Sequence, residues 1–362
     1  SYPIGDLVFE VGGVRIGFEI CEDAWAAQRP GSDLSHEGID LLLNPSASHF
    51  AFGKFEVRKR LVLEGSRAFG VSYVYSNLLG NEAGRIIYDG GALIASAGQL
   101  VAQGPRFSFR PMVLTTAVVD VTATRMERAR QGSLPTQRPS SDPVRVPISV
   151  DWPDLEPEPP RVNPPPWEQG THLKEEEFTR AVALGLFDYL RKSRAKGFVV
   201  NLSGGADSSA TACLVALMVQ LAVQELGLEG FRERLAHVPA LQEAETARDC
   251  VSRLLFCLYQ ASRHSSRTTQ QAAQSVAEAI GARFACLPID AQVDHYVQAI
   301  ERLLGRSLRW ETDDVALQNI QARVRGPSAW LLANVLDALL LTTSNRSEAA
   351  VGYATMDGDT CG

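Results

Sequence analysis

Features that mark several classes of protein are missing from this 362-residue sequence. No stretch is dense in lysine and arginine, and 35 basic residues against 42 acidic ones give a formal net charge of −7. A nucleic-acid footprint and a polybasic membrane patch are therefore not expected. No run reaches the roughly 18 apolar residues of a membrane span, because Asn334 and Asp337 interrupt the most apolar stretch, 329–341. We predict a soluble protein without a nucleic-acid or membrane partner.

Cysteine pairs are also missing. The sequence has no C-x-x-C pair and no nearby His-x-x-x-His, so neither a zinc site nor a disulfide framework is indicated. The six scattered cysteines fit a reducing cytoplasm, which we predict as the location; they are Cys21, Cys213, Cys250, Cys257, Cys286 and Cys361. The start has no initiator Met and no signal-peptide pattern, and the end is a loop-like string. We expect a fragment cut at both ends.

Proline placement predicts the domain organisation. The length is enough for two to three domains, and 45% hydrophobic with 21% charged residues is an ordinary globular composition. Eleven of the 19 prolines lie between Pro135 and Pro166, a segment suited to neither a helix nor a central strand. We predict a linker over 129–170, with one domain at 1–128 and another at 171–362.

Both predicted domains combine strands and helices. In the first, a helix over 56–69 separates short apolar runs rich in β-branched residues, and Gly90-Gly91 and Ala97-Gly98 predict turns. The apolar face of this helix would contain Val57, Leu61, Val62 and Ala68. The runs predict strands at 14–20, 41–43, 71–75, 92–95 and 114–119. An α/β or α+β layer structure follows.

In the second domain, strand, loop and helix alternate, which predicts a doubly wound parallel sheet with ligands at the carboxyl ends of its strands. The first helix would bury Phe178, Val182, Leu186, Tyr189 and Leu190. Strands are predicted at 198–202 and 338–341, and helices from 208 onward, at 268–280 and at 328–337.

The clearest motif follows the apolar strand at 198–202. It consists of Ser203, Gly204, Gly205, Ala206, Asp207, Ser208 and Ser209. Two glycines let backbone N–H groups face an anion, and the last two serines can cap the helix that follows. This is a phosphate cradle, but neither a Walker A loop nor Gly-x-Gly-x-x-Gly. A carboxylate beside phosphate needs a cation between them, so we assign Asp207 to Mg²⁺. The alternative is a Ser/Gly strand-to-helix turn with Asp near the cap.

This motif resembles the pyrophosphate loop of the N-type ATP pyrophosphatases, which include the NAD, GMP, asparagine and argininosuccinate synthetases. The blocks 319–325 (Asn-Ile-Gln-Ala-Arg-Val-Arg) and 341–355, followed by Gly358-Asp359, resemble the glutamine-dependent NAD synthetase family in particular. The resemblance implies that Thr343 contacts ATP and that Glu348 holds Mg²⁺ together with Asp207. It further implies a deamido-NAD site formed by Asn319, Arg323, Glu348, Tyr353, Thr355 and Asp359. Alternatively, Tyr353 is a core residue, and Arg323 and Arg325 belong to a solvated helix face. The family often has Lys at Met356, and its closing Lys-containing loop would follow Gly362.

In the first half, Cys21 ends an apolar strand beside Glu22 and Asp23. Because a thiol with only anionic neighbours is a poor nucleophile, activity requires a cation and a base from elsewhere in the fold. A lone cysteine on an apolar strand is usually an inert core residue. However, the blocks 42–49, 53–54 and 75–80 resemble the nitrilase-type glutaminase domain fused to NAD synthetase.

This second resemblance implies that Cys21 is the glutaminase nucleophile and that Ser48 and Lys54 bind glutamine, although either could instead be an exposed loop residue. The family's general base Glu and its Lys precede the cysteine and are absent from this chain. Neither Glu10 nor Glu19 has the context to replace them.

Together, the resemblances imply a ligase of NAD biosynthesis with ATP and Mg²⁺ as cofactors. Glutamine hydrolysis would supply ammonia for the ATP-driven amidation of deamido-NAD, releasing AMP and pyrophosphate. The expected fold is the C-terminal part of a nitrilase-type α-β-β-α sandwich, followed by a doubly wound ATP pyrophosphatase domain that is incomplete at its C-terminus. We expect a homo-oligomer. The alternatives are a GMP synthetase-like amidotransferase, which would lack the 341–355 block, and a nucleotide-binding fragment without turnover.

Overall fold

The computed structural model describes residues 7–81, 86–130, 144–343 and 346–351. They belong to two compact units, Ser1–Leu184 and Gly185–Gly362. The division falls inside the helix Leu173–Ser193, whereas the proline pattern predicts it further upstream.

The described residues of the first unit form nine strands, three complete helices and the start of a fourth helix. Its helices are α1 (Pro30–His36), α2 (Lys54–Phe69), α3 (Val121–Arg130) and α4 (Leu173–Ser193), and 3₁₀ turns lie at Cys21–Trp25 and Pro166–Gln169. Its strands are β1 (Leu7–Val11), β2 (Val14–Phe18), β3 (Leu41–Ser46), β4 (Ser72–Asn77), β5 (Leu79–Asn81), β6 (Ile87–Asp89), β7 (Ala92–Ser96), β8 (Gln99–Gln103) and β9 (Val144–Ile148).

Seven of these strands form one mixed sheet in the order β8-β7-β4-β3-β2-β1-β9, and β5 pairs with β6 separately. Strands β2, β3 and β4 are parallel in the centre. Because parallel neighbours end at the same sheet edge, the segments after β2, β3 and β4 emerge together. The core packs α2 against the sheet through residues such as Phe55, Val62, Tyr73 and Leu93.

Two predictions for this unit are wrong. Residues 114–119 form no strand, and Leu114 is 79% exposed, so their apolar run has no sheet face to cover. In α2 the predicted apolar face is rotated: Val57 and Ala68 are exposed, and Arg58 lies among the buried residues. Hydrophobic spacing could not anticipate a buried arginine, because burial of that charge depends on partners from other segments.

Part of the proline-rich segment joins the sheet. Strand β9 lies within the predicted linker and pairs in parallel with β1, placing Pro147 opposite Glu10. A proline is tolerated there because β9 is an edge strand, with only one side hydrogen-bonded. The predicted turn at Ala97-Gly98 is confirmed: both residues have positive φ, 51° and 79°, and they join antiparallel β7 and β8.

The second unit alternates helices and strands. Its helices are the end of α4 followed by α5 (Ala206–Arg234), α6 (Ala247–Leu254), α7 (Arg267–Ile280), α8 (Asp290–Leu304), α9 (Trp310–Arg323), α10 (Arg325–Val335) and α11 (Arg346–Val351), with a 3₁₀ turn at Pro239–Glu243. Its strands are β10 (Phe198–Asn201), β11 (Leu255–Ala261), β12 (Arg283–Pro288) and β13 (Leu339–Leu341).

These four strands are parallel and follow the order β12-β11-β10-β13. The chain moves outward from β10 to β12 and then returns to the far side of β10. Right-handed crossovers therefore place the helices after β10 and β11 on one face and those before β13 on the other. This confirms the doubly wound sheet. Its topological switch point lies between β10 and β13, where ligands bind beyond the carboxyl ends of such strands.

One helix, α4, which begins in the first unit, buries a different face from the predicted one, and a second helix, α5, is unusually apolar. In α4, Phe178 and Tyr189 of the predicted apolar face are about half exposed, and the neighbouring Phe187 is fully buried instead. Helix α5 is long and apolar enough to cross a membrane by length and composition alone. That is weak evidence, since core helices pass the same test, and Val215, Met218 and Val219 of α5 are fully buried.

Candidate functional site

The loop after β10 lies at the topological switch point of the second unit. Four buried or half-buried strand residues lead into it, and the amide of Leu202 donates to the carbonyl of Leu258 at 2.9 Å. Ser203 follows and is exposed. The motif predicted to hold phosphate therefore begins where the sheet geometry places ligands.

Ser208 shapes this loop from inside. It is 3% exposed, and its Oγ accepts from the Ser203 amide at 3.2 Å and lies 3.0 Å from the Ser203 Oγ. The Ser203 hydroxyl in turn accepts from the Gly205 amide at 3.3 Å. The prediction that Ser208 and Ser209 cap α5 is wrong, because the helix begins at Ala206, with Gly205 as its N-cap. Instead of capping the helix, Ser208 closes the loop.

No side chain of the described residues caps the N-terminus of α5. By contrast, Thr246 caps α6 and Ser266 caps α7. The backbone N–H groups of the first α5 turn therefore keep their capacity to bind an anion, and the helix dipole favours negative charge there. Asp207 lies in the same turn with an exposed carboxylate.

Gly204 makes this loop possible. Its φ is +81°, and a Cβ at this position would collide with the carbonyl oxygen of Thr269 in α7. Gly205 has φ −81°, and a Cβ added there would have the Ser203 Oγ as its nearest neighbour, at 3.3 Å. The two glycines therefore differ: only the first is required by backbone conformation and close packing.

Thr343 follows β13, the strand beside β10. The parallel register pairs Val200 with Leu341, the last residue of β13, and β10 ends one residue after Val200. The fold thus brings Thr343 and the phosphate loop to one sheet edge, as predicted. Glu348 lies in α11, but its side chain is outside the described residues, as are Tyr353, Thr355 and Asp359.

Asn319 and Arg323 lie one helical turn apart on α9, and both are exposed. This spacing places them on one helix face. The described hydrogen bonds do not join either residue to the phosphate loop, so their assignment to the deamido-NAD site stays a prediction. Within the described residues, no group of three or more His, Cys, Asp or Glu could hold a metal ion.

A buried amide pair beside the loop was missed by the sequence analysis. Gln260, 7% exposed near the end of β11, donates through Nε2 to Asn201 Oδ1 and to the carbonyl of Arg325, both at 3.0 Å. This pair fixes the start of α10 against the carboxyl ends of β10 and β11. The available sequence signal was a polar amide at the end of each of two apolar strands.

In the first unit, Cys21 follows β2 and opens the 3₁₀ turn Cys21–Trp25. Its φ is +49°, a conformation that a residue with a Cβ rarely adopts and that often occurs at functional sites. Asp23 accepts from the Ile20 amide at 3.0 Å and stabilises the turn. Cys21 is half-buried. By contrast, burial raises the pKa of Cys257 to about 12 and keeps that thiol protonated.

Lys54 is a cationic side chain close to the turn that Cys21 opens. It begins α2, and its Nζ lies 6.0 Å from the centre of the Trp25 ring, inside the turn that Cys21 opens. Burial and then the charge of Arg58 lower the pKa of Lys54, while Asp89 and Cys21 act in the opposite direction. The structure therefore places Lys54 within electrostatic reach of Cys21.

Ser48 is buried and held by two side chains. Asn77 accepts from its amide at 2.8 Å and donates to its carbonyl at 3.0 Å. Arg58 donates to the same carbonyl at 2.7 Å and to the Ser48 hydroxyl at 3.3 Å. Ser48 is thus not an exposed loop residue. Arg58 and Asp89 are site residues that the sequence analysis missed, since a buried charge in α2 contradicts the expected apolar face.

These features define the second unit as a doubly wound α/β domain in which an uncapped helix N-terminus lies at the topological switch point. The first is an α/β domain with a cysteine at positive φ that opens a 3₁₀ turn, and Lys54 lies over the Trp25 ring of that turn. A family model described as NAD synthase matches residues 178–362, just over half of the sequence. The chain belongs to the NAD synthase family.

Similar proteins cover both units. A glutamine-dependent NAD(+) synthetase of Oryza sativa subsp. indica is 33% identical over 98% of this chain and 51% of its own length. The crystal structure of a glutamine-dependent NAD(+) synthetase from Cytophaga hutchinsonii is 44% identical with a TM-score of 0.77, covering 99% of this chain and 53% of the other. The enzyme of that name from Acinetobacter baumannii, 24% identical with a TM-score of 0.69 over 100% of this chain and 54% of the other, shares the fold. The chain spans about half the length of the curated relatives it matches.

Proposed function

We propose that this chain is part of a glutamine-dependent NAD synthetase. Glutamine hydrolysis in the first unit supplies ammonia, and the second unit uses ATP to activate the nicotinate carboxylate of deamido-NAD. Ammonia then displaces AMP to give NAD. The observation that carries the proposal is the uncapped start of α5 at the switch point, in a chain that also holds Cys21 at a positive φ within electrostatic reach of Lys54.

In the second unit, the loop 203–205 and the first turn of α5 bind the ATP phosphates. Their backbone N–H groups act as donors, and Thr343 approaches from the neighbouring strand. The negative charge that develops on the leaving pyrophosphate is stabilised by the same preorganised donors. Because these donors are fixed by Ser208 and Gly204, they need little rearrangement during the reaction.

Mg²⁺ fits the donor chemistry of this loop. The exposed Asp207 carboxylate lies beside a phosphate-binding turn, and a hard divalent cation prefers such oxygen ligands. Asp207 and Glu348 would hold the ion, with ATP phosphates supplying further oxygens. When bound, it neutralises charge on the phosphates.

Deamido-NAD is the proposed acceptor. Asn319 and Arg323 share a face of α9 and offer an amide and a guanidinium, groups suited to a carboxylate or a phosphate. Tyr353, Thr355 and Asp359 complete the proposed site from the family pattern. Arg323 has interactions in the folded chain, so binding would exchange partners.

In the first unit, Cys21 attacks the side-chain amide carbon of glutamine, ammonia leaves, and water hydrolyses the resulting thioester to glutamate. Lys54 binds the α-carboxylate and Ser48 orients the substrate. Further groups of the full-length protein supply the general base. We also propose a cytoplasmic homo-oligomer, the location being supported by free thiols at all five described cysteines.

Two variants of the full-length protein test the proposal. Cys21→Ala should abolish NAD synthesis from glutamine but leave synthesis from added ammonium chloride, because only the nitrogen source is lost. Asp207→Ala should reduce NAD synthesis from both sources while glutamine hydrolysis continues. Loss of ammonia-driven synthesis in Cys21→Ala, or full synthesis in Asp207→Ala, would contradict the assigned roles.

The rival amidotransferase is distinguished by its acceptor. With Mg-ATP present, deamido-NAD should raise the melting temperature of the full-length protein, because a ligand that binds only the folded state stabilises it. Xanthosine monophosphate should not. Equal protection by both nucleotides would favour a GMP synthetase-like enzyme.

A further inference from the structure

Arg58 is a deeply buried charged side chain of the first unit that has no place in the proposed chemistry. Its side chain is 1% exposed, as is that of its ion-pair partner Asp89. Burying a guanidinium is unfavourable unless its donors are satisfied. The partners of Arg58 therefore show what the fold gains from it.

Most of these partners belong to one short segment. Nη1 donates to Asp89 Oδ1 at 2.7 Å, which balances the charge. Nη2 donates to the carbonyls of Ser48 at 2.7 Å and His49 at 2.9 Å, and Nε donates to the Ser48 hydroxyl at 3.3 Å. Three of these four hydrogen bonds thus hold Ser48 and His49, which follow β3, and the fourth belongs to the ion pair with Asp89.

Asn77 completes the arrangement from the end of β4. It holds the Ser48 amide and carbonyl, and its Nδ2 also donates to Asp89 Oδ1 at 3.1 Å. Arg58 and Asn77 therefore converge on the same two acceptors, the Ser48 carbonyl and the Asp89 carboxylate. With both backbone groups and the hydroxyl engaged, Ser48 has one defined orientation.

Arg58 also lies close enough to Lys54 to affect its charge. It lies one helical turn after Lys54 on α2, and its charge contributes to the lowered pKa of Lys54. One guanidinium thus influences both residues proposed to bind glutamine. Its own contacts do not include Cys21.

We propose that Arg58 is a positioning residue of the glutamine pocket. Together with Asn77 it holds Ser48 in the orientation that binds substrate, and Asp89 anchors both Arg58 and Asn77. This inference rests on the proposed glutaminase function. It assigns the effect to substrate binding rather than to bond cleavage, because the contacts of Arg58 fix the pocket wall and not the nucleophile.

The test uses Arg58→Lys in the full-length protein. Lysine retains the charge but not the fork of donors, so the KM for glutamine should rise about tenfold while kcat falls less. NAD synthesis from ammonium chloride should be unchanged. The matched control is Arg67→Lys on the same helix, where the arginine is exposed and pairs with Glu64; it should leave the KM unchanged.

Asn77→Ala provides a second measurement if Arg58→Lys does not fold, because it removes half of the Ser48 contacts without unpairing a buried charge. It should also raise the KM for glutamine selectively. An unchanged KM in the folded variants, or equal loss of glutamine-driven and ammonia-driven synthesis, would overturn the inference. Failure of the wild-type protein to use glutamine would instead contradict the proposed function.

Discussion

The phenol of Tyr73 donates a hydrogen bond to the carboxylate of Glu19, two residues before Cys21. Glu19 is 1% exposed, and it also pairs with Arg29 and accepts from the Gly31 amide at 3.1 Å. Tyr73 in turn accepts from Asn44 at 2.9 Å. This buried network ties the strand before the cysteine to the centre of the sheet.

Tyr73→Phe should lower the free energy of unfolding at neutral pH by about 1–3 kcal/mol, because Glu19 loses a donor in a buried site. Burial and then Glu19 raise the pKa of Tyr73 above its ordinary value of 10.0. Above about pH 10 the unfolded chain therefore releases this proton before the folded one does, and wild-type stability falls. The difference in unfolding free energy between wild type and Tyr73→Phe, measured by urea unfolding, should therefore be smaller at about pH 11 than at about pH 8. A difference that stays constant with pH would contradict the assignment.

Gly204→Ala should weaken Mg-ATP binding by about tenfold or more and lower the melting temperature. The new Cβ would collide with Thr269 at a positive φ that costs about 1–3 kcal/mol for a residue other than glycine. Gly205→Ala is the matched control, since its backbone φ suits alanine and space is available. Calorimetry with Mg-ATP would measure both variants. Equal effects of the two substitutions would show that the first glycine has no special role.

Lys54 should make glutamine use sensitive to alkaline pH. Its pKa lies below the ordinary 10.5, first because of burial and then because of Arg58, so its charge is lost at a lower pH than that of an exposed lysine. The KM for glutamine should rise as this proton leaves, because the α-carboxylate loses its counter-ion. Lys54→Arg should shift the rise to higher pH. The measurement is the ratio of the KM of wild type to the KM of Lys54→Arg at each pH. The amino group of glutamine titrates equally in both series, so its effect cancels in this ratio. Identical profiles would exclude Lys54 as the carboxylate ligand.

Arg106→Met should destabilise the first unit by about 3–5 kcal/mol, because it leaves buried carboxylates without their partner. The guanidinium lies 2.7 Å from Glu177 and 3.0 Å from Glu168, and its side chain is 3% exposed. In contrast, Arg67→Met should change stability little, since that ion pair is exposed. Urea unfolding followed by circular dichroism would compare the two variants. Similar stabilities would mean that the cluster around Arg106 contributes nothing.

Local patterns sufficed for the strand, loop and helix around 203–209, but they did not predict strands β11 and β12 or helices α6, α8 and α9 of the second unit. An apolar strand, a Ser/Gly-rich loop and a long apolar helix predict the cradle at 203–209, because strand, turn and helix formation depend on neighbouring residues. The serine roles were mistaken, however. Ser208 can cap the helix only if the helix begins after it. The helix begins at Ala206 instead, and local sequence does not fix a helix start to within a few residues.

The amino-acid sequence alone predicts two α/β domains and a Ser/Gly-rich loop after residues 198–202, and it places Cys21, Ser48 and Lys54 in one family pattern. The folded structure was needed to show that Arg58 is buried, that Asp89 balances its charge, and that part of the proline-rich segment becomes strand β9. These outcomes depend on partners far apart in the chain, such as Arg58 with Asp89 or β9 with β1. A charge enters a core, and a proline joins a sheet edge, only when the fold supplies the matching group.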